Sequence, residues 1–234
     1  MIREFENIKK IKYLSSEKNQ DVNPSVDWMP KMAPYMRFKN NAYQFRPKLA
    51  SKLLKLAGSV LINKLKSKNC ILFVDTKTSS QTDVSKLGNR KNIFYINHKW
   101  PGGVLTNWET TKSRTKSIEN LELEINSLKA GDKNYKLKLR KKKHLEKLKK
   151  LYSGLLGIPT RPELVIFFSH EKEINGIKEC LKLGISAICI ANSSSDPSAF
   201  PYIILCGEQD CAKTEIISQY FYTKLYKFLN NSGI

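Results

Sequence analysis

Apolar residues at Leu49, Leu53, Leu54, Leu56, Ala57, Val60, Leu61 and Leu65 form one stripe of a 3.6-residue period. That spacing predicts an amphipathic helix over 49–65. Before it, Tyr35, Arg37, Tyr43 and Phe45 alternate around Asn40-Asn41, which predicts a hairpin, because Asn tolerates the positive φ such a turn needs. After it, short apolar runs alternate with helix-period segments. Cys70–Asp75, Ile93–Ile96, Leu164–Phe168, Ala187–Ala191 and Tyr202–Leu205 read as five buried strands. Helices are expected over about 79–87, 171–183 and 209–229. Near-continuous apolar strands between amphipathic helices predict an α/β fold whose parallel sheet is covered on both faces.

The alternation breaks between Leu105 and Leu156. Leu121, Ile125 and Leu128 give one narrow seam, and Leu145, Leu148 and Tyr152 give another, with Ala130-Gly131-Asp132 between them. Two narrow-seamed helices around a glycine turn predict an antiparallel helical hairpin that has little core of its own and projects from the sheet. Residues 1–25 are polar, rich in Lys and Asn and without clear periodicity, and are expected to form a mobile arm.

Where strand 93–96 hands over to the hairpin stands the stretch Asn97 to Trp108. It holds Gly102-Gly103 between Trp100 and Trp108. Paired glycines predict a tight corner with close backbone approach, and Thr106 and Asn107 can cap the helix that follows. Trp100, Gly102, Gly103, Asn107 and Trp108 are therefore expected to be structural turn residues.

Charge narrows the functional classes. The chain of 234 residues has 41 Lys and Arg against 21 Asp and Glu, a net charge of +20. A folded domain repels itself at that charge, which calls for a polyanionic partner. The basic residues run along the whole chain, which favours nucleic acid over a membrane surface. The run 133–150 holds ten Lys and Arg and one acid, Glu146. Lys138, Arg140, Lys141, Lys142, Lys143 and Lys147 in it are candidate phosphate contacts. Lys99, Lys112, Arg114 and Lys116 near the corner form a second candidate group. A basic surface without a base-reading motif suits A-form RNA, which is bound through shape, phosphates and 2′-OH groups.

Other chemistry is thinly represented. Gly207 to Thr214 follows a strand and opens a helix, one residue short of a Walker A loop, with Ala212 where the second glycine belongs. Glu208 and Asp210 would repel phosphate there. It supports only an alternative reading, a nucleotide-dependent α/β enzyme using residues 207–214. His98, His144 and His170 are far apart, and no Cys/His spacing suggests a metal or other cofactor. Ser169-His170-Glu171 lacks a nucleophile elbow. Asp75 and Asp196 lie at or beyond strand ends, where α/β enzymes keep their acids, but Asp196-Pro197 fits a turn. Five cysteines without a CxxC pair fit a reducing compartment. No apolar run reaches the ~18 residues of a membrane span. The N-terminus has no apolar signal region.

Trp100 to Trp108 resembles the W-L-G-G-M-L-T-N-W signature of the small-ribosomal-subunit protein two family, with Pro101 and Val104 in place of Leu and Met. Trp28 to Tyr35 is similar to that family's W-N-P-K-M-x-P-Y, and Ile71 to Lys77 to its I-L-F-V-G-T-K strand. Leu183-Gly184-Ile185 and Asp196-Pro197 fit its L-G-I-P and S-D-P stretches. The H-F-G-H element of bacterial members is absent. The resemblance covers roughly 26–229. It implies a three-layer flavodoxin-like sheet, 26–104 with 156–234, and an inserted helical hairpin at 105–155. It also implies a structural, non-enzymatic role on the solvent side of the small ribosomal subunit, bound to small-subunit rRNA and neighbouring ribosomal proteins. Neither a small-molecule substrate nor a membrane enters that role. Glu173 to Leu183 is similar to the plastid and cyanobacterial E-Y-N-A-V-Q-E-C-Q-K-L. With the excess of Lys over Arg (34 to 7) and the 18 Asn, this favours a plastid over a mitochondrion.

Overall fold

The computed structural model describes residues 28–39, 42–76, 92–127 and 132–206, with positions 217, 220–223 and 227. The expected arm at 1–25, the helix at 79–87 and the loop at 207–214 lie outside the described residues. So does most of the last helix, although Ile217, Tyr220–Thr223 and Lys227 are helical.

Five short parallel strands make the central sheet: β3 (Ile71–Val74), β4 (Ile93–Ile96), β5 (Leu164–Phe167), β6 (Ser186–Ala191) and β7 (Tyr202–Leu205). Their spatial order is β4-β3-β5-β6-β7. Counted within the sheet this is 2-1-3-4-5, the doubly wound order of flavodoxin-like folds, with its switch point between β3 and β5. Each strand sends alternate residues to opposite faces, as a pleat requires. Leu72, Val74, Val165, Phe167, Cys189 and Leu205 enter one core, and Ile71, Phe73, Leu164, Ile166, Ile188 and Ile204 the other. Buried on both sides, the strands are apolar at every position except Ser186, the half-buried first residue of β6, which is why they read as runs.

Helices cover both faces. Helix α1 (Pro47–Lys66) begins two residues earlier than the apolar stripe, on Pro47, whose fixed φ and missing N–H suit a first helical position. Its Leu54, Ala57 and Leu61 pack into the second core with Tyr220 and Phe221. On the first face lies α4 (Ile174–Leu183), which buries Gly176, Ile177 and Cys180. It starts three residues later than the pattern suggested, because 170–173 form a turn. Before α1, a 3-10 turn (Pro30–Tyr35) leads into an antiparallel ribbon, β1 (Met36–Lys39) with β2 (Ala42–Phe45).

Between β4 and β5 stand two long helices, α2 (Trp108–Ser127) and α3 (Asp132–Tyr152). Residues 128–131, including Gly131, lie outside the described residues. Contacts between the helices pair Arg114 with Tyr152, Glu122 with Lys149, and Glu124 with Lys141. Along α2 the buried or half-buried positions Trp108, Thr111, Thr115, Ile118, Glu122 and Ile125 advance by three and four; Leu121 is half-buried beside them. On α3 the less exposed positions are Lys138, Lys141, Leu145, Leu148 and Tyr152. Two seam positions are therefore lysines, which apolar spacing alone could not show. The pair also takes a share in the sheet's core. Ile118 and Tyr152 are buried in the first core, and Leu145, Leu148 and Leu151 pack against it.

No helix among the described residues is long and apolar enough to cross a membrane.

Candidate nucleic-acid interface

The corner after β4 is built around one carboxylate. Glu179 of α4 accepts the indole N–H of Trp100 at 2.9 Å and the Gly103 amide at 2.8 Å on one oxygen. Its other oxygen accepts the amides of Leu105 at 2.9 Å and Thr106 at 3.0 Å, and the Thr106 hydroxyl at 3.2 Å. Burial raises the Glu179 carboxyl, but these hydrogen bonds outweigh it and hold the group below its ordinary range. Trp100 lies between this helix and the sheet, with its ring 5.8 Å from that of Phe167. An added Cβ at Gly176 would stand 2.8 Å from Trp100, so only glycine lets α4 come this close.

The two glycines of the corner differ. Gly103 has φ +83°, a region that strains residues with a side chain, whereas a Cβ at Gly102 would meet no atom within 4 Å. Close backbone approach is found at neither glycine, since a Cβ at Gly103 would meet Asn107 only at an ordinary 3.5 Å; what Gly103 needs is its φ. Asn107 stands at the cap of α2. Its carbonyl accepts the Thr111 amide at 3.2 Å and its side-chain oxygen the Thr110 hydroxyl at 2.7 Å. Thr106 turns instead to Glu179. Trp108 is buried at the start of α2.

The candidate basic residues occupy several settings. Lys112 lies over the Trp108 ring at 5.8 Å, and the Arg114 guanidinium over the Tyr152 ring at 5.6 Å, where it also donates to the Tyr152 hydroxyl. These two carry charge at the base of the α2–α3 pair while packing against it. Lys141 is partly spent on Glu124, at 2.6 Å, and Lys138 is half-buried. Lys99, Lys116, Arg140, Lys142, Lys143 and Lys147 are exposed. The outer surface of α3 thus presents Lys136, Arg140, Lys142, Lys143, Lys147 and Lys150 to solvent with Glu146 as the one exposed acid among them.

The groups considered for catalysis are held otherwise. Asp75 is 1% exposed at the end of β3. Beside it, the fully buried Glu173 accepts the Thr76 hydroxyl, and burial raises its carboxyl pKa. Asp196 pairs with Lys31 at 2.8 Å and caps Ser198. His170 packs edge-on against Phe200, and burial lowers its pKa. Glu171, next to it, accepts from Asn192 at 2.8 Å. Among the described residues no cluster of His, Cys, Asp or Glu could hold a metal. Cys70 and Cys180 are buried, which pushes both thiols up to about 12.

The sequence profile described as Ribosomal protein S2 matches residues 23–225. The chain belongs to the ribosomal protein S2 family. Its relatives include small ribosomal subunit protein uS2c of Trieres chinensis, 34% identical over 73% of this chain and 75% of the relative. The uS2c of Euglena gracilis is 30% identical over 87% of this chain and 85% of its own length. A uS2 of the Picosynechococcus strain PCC 7002 is 32% identical over 73% of this chain and 67% of its own. A ribosomal protein S2 is a structural protein, not an enzyme, which removes the nucleotide-dependent reading of 207–214. The uS2c relatives are of the plastid type, in keeping with the expected compartment.

The hydrogen bonds of the corner direct attention to a residue the sequence reading did not single out. Glu179 is the one acid within α4, and it stands beside the buried stripe of Ile177 and Cys180. A lone carboxylate flanking an apolar stripe is the signal that could have found it.

Proposed function

We propose that this chain is a structural component of the plastid small ribosomal subunit that binds rRNA through phosphate contacts and also meets neighbouring ribosomal proteins. In this reading 26–104 and 156–234 form the α/β domain and 1–25 an arm. Residues 105–155 form an inserted antiparallel hairpin of α2 and α3. The observation that carries the proposal is the exposed outer face of α3, with six basic side chains around the single acid Glu146. A solvated helix balances its charges with i,i+4 pairs of opposite sign; this face is almost uniformly positive. Phosphate neutralisation explains it and needs no base-reading motif.

The glycine corner serves this function indirectly, by fixing the base of α2 and hence the direction of Lys112, Arg114 and Lys116. The test reverses Lys142, Lys143 and Lys147 to Glu, which keeps helix propensity, and measures small-subunit occupancy in gradients beside circular dichroism of the free chain. Reduced occupancy of a normally folded variant is expected. Normal occupancy would make the face merely solvated. RNA affinity of the wild-type chain should also fall on the order of 10³-fold between 50 and 200 mM salt if several phosphates are neutralised.

A further inference from the structure

The β1–β2 ribbon carries a staircase of three aromatic rings. Trp28 lies at its foot, half-buried against the first core. The Tyr43 ring stands 5.3 Å from Trp28, and Phe38 stands 5.2 Å from Tyr43, edge to face. Phe38 and Tyr43 are direct cross-strand partners. Their neighbours on the same face, Met36 and Phe45, are buried and root the ribbon in the core. Phe38 is 64% exposed and Tyr43 40%. The foot is tied down as well: the Met29 amide donates to the Ser193 carbonyl at 2.9 Å, and Lys31 bonds Asp196 and Ser198. Phe38 and Tyr43 are exposed side by side and form a contiguous apolar patch, the kind of surface that marks an interaction site.

The surrounding charge says what covers it. Arg37 and Lys39 stand within the ribbon itself and Arg46 directly after it, and neither strand carries an acid; the one acid tied to the foot, Asp196, is paired with Lys31. The large exposed apolar side chains of the ribbon are both aromatic. Protein interfaces also use aromatic rings, so the positive charge beside them is what favours a nucleotide. An unpaired nucleotide gains specifically from a ring, because every base has a stacking face, and its phosphates match the positive surroundings.

We infer that Phe38, backed by Tyr43 and Trp28, is a stacking platform for an unpaired RNA base. This rests on the RNA-binding reading above and adds a single-stranded ligand to the structured RNA met by α3.

The test uses the full chain with two probes: a short unstructured oligoribonucleotide carrying 2-aminopurine, and an RNA duplex of equal length. Phe38→Ala should weaken single-strand binding by about 10-fold or more, the lower to middle part of the range for one lost stack. It should also abolish the 2-aminopurine quenching and leave duplex affinity unchanged, which shows in the same assay that the variant is folded. Phe38→Tyr should bind as wild type, and Phe38→Leu as Phe38→Ala. A leucine that serves as well as phenylalanine would overturn the platform. So would undiminished single-strand binding by Phe38→Ala, or equal losses on both probes. If Phe38→Ala binds RNA normally but is lost from small subunits, the surface belongs to a protein neighbour and the platform is refuted. A wild-type chain that binds duplex but shows no quenching refutes the platform alone. A wild-type chain that binds neither probe refutes the RNA-binding reading as well.

Discussion

Replacing Glu179 with alanine should unfasten the corner that launches α2. Five donors lose their acceptor at once: the Trp100 indole, three backbone amides and the Thr106 hydroxyl. Thr106 is exposed, so water can take up its two groups. The Trp100, Gly103 and Leu105 donors are part-buried and face the vacated space. Each buried donor left unsatisfied costs about 1–3 kcal/mol, and water entering beside Thr106 will recover some of it. The expected loss is about 3–5 kcal/mol, a large share of a domain's usual margin of about 5–15 kcal/mol. Glu179→Gln keeps the shape but offers one acceptor oxygen in place of two. Its amide N–H₂ must then face two N–H groups, and the expected loss is about 2–3 kcal/mol. The pH dependence has a definite sign. The folded carboxyl titrates below its ordinary 4.5, so the unfolded chain binds more protons across that window. Stability from Glu179 is complete above pH 4.5 and lost as pH falls through the folded value; Glu179→Gln should lack this acid-side decline. Denaturant titration followed by tryptophan fluorescence, repeated across acidic pH, reads both effects. A Glu179→Ala chain within about 0.5 kcal/mol of wild type would refute the anchor, since that is the scatter of ordinary surface substitutions.

Other expectations follow from single contacts. Gly103→Val should destabilise by about 1–3 kcal/mol through positive φ, while Gly102→Ala should be nearly neutral, both read from denaturant midpoints. Gly154→Ala should be worse than either, because its Cβ would stand 2.1 Å from the Tyr95 carbonyl oxygen, and backbone cannot swing aside; poor soluble yield or a loss above about 3 kcal/mol is expected. Glu173 behaves oppositely to Glu179: burial, first among its influences, raises its carboxyl. Its stabilising contribution is present below pH 4.5 and lost as pH rises through the folded value, so Glu173→Gln should raise stability at neutral pH in thermal melts, an effect absent in acid.

The sheet was legible because strands covered on both faces must be apolar at every position; the five runs could hardly be anything else. Helix α1 was legible for the complementary reason, a stripe with one wet side. What escaped was whatever depends on a partner distant in sequence. Glu179 is separated from its donors by 73 to 79 residues, and its own helix shows only that it flanks the buried stripe, not what it binds. The Gly-Gly pair announced a corner but not which glycine bears the positive φ, since that is set by how the chain closes on Glu179. The seams of α2 and α3 were read from Leu and Ile alone. Glu122, Lys138 and Lys141 occupy seam positions as charged groups, where the period continues and hydrophobicity does not. The basic candidates were visible as a composition, but that Lys112 rests on Trp108 and Arg114 on Tyr152 could not be seen.

A doubly wound sheet offers two natural places for an anionic ligand: the crevice at the switch point and a cluster of free amides at a helix entrance. In this chain its own side chains occupy both. At the switch point, between β3 and β5, Asp75, Thr76 and Glu173 turn inward, and the two acids are all but fully buried. At the entrance to α2, the amides of Gly103, Leu105 and Thr106 converge as they would on a phosphate, but the Glu179 carboxylate already holds them. An internal carboxylate needs no ligand to be bound before the corner is rigid, which suits a part whose task is to hold a shape. The proposed RNA contacts lie instead at the periphery, on the outer face of α3 and on the ribbon of β1 and β2. There, exposed positive charge and aromatic rings can engage a large polyanion without a pocket.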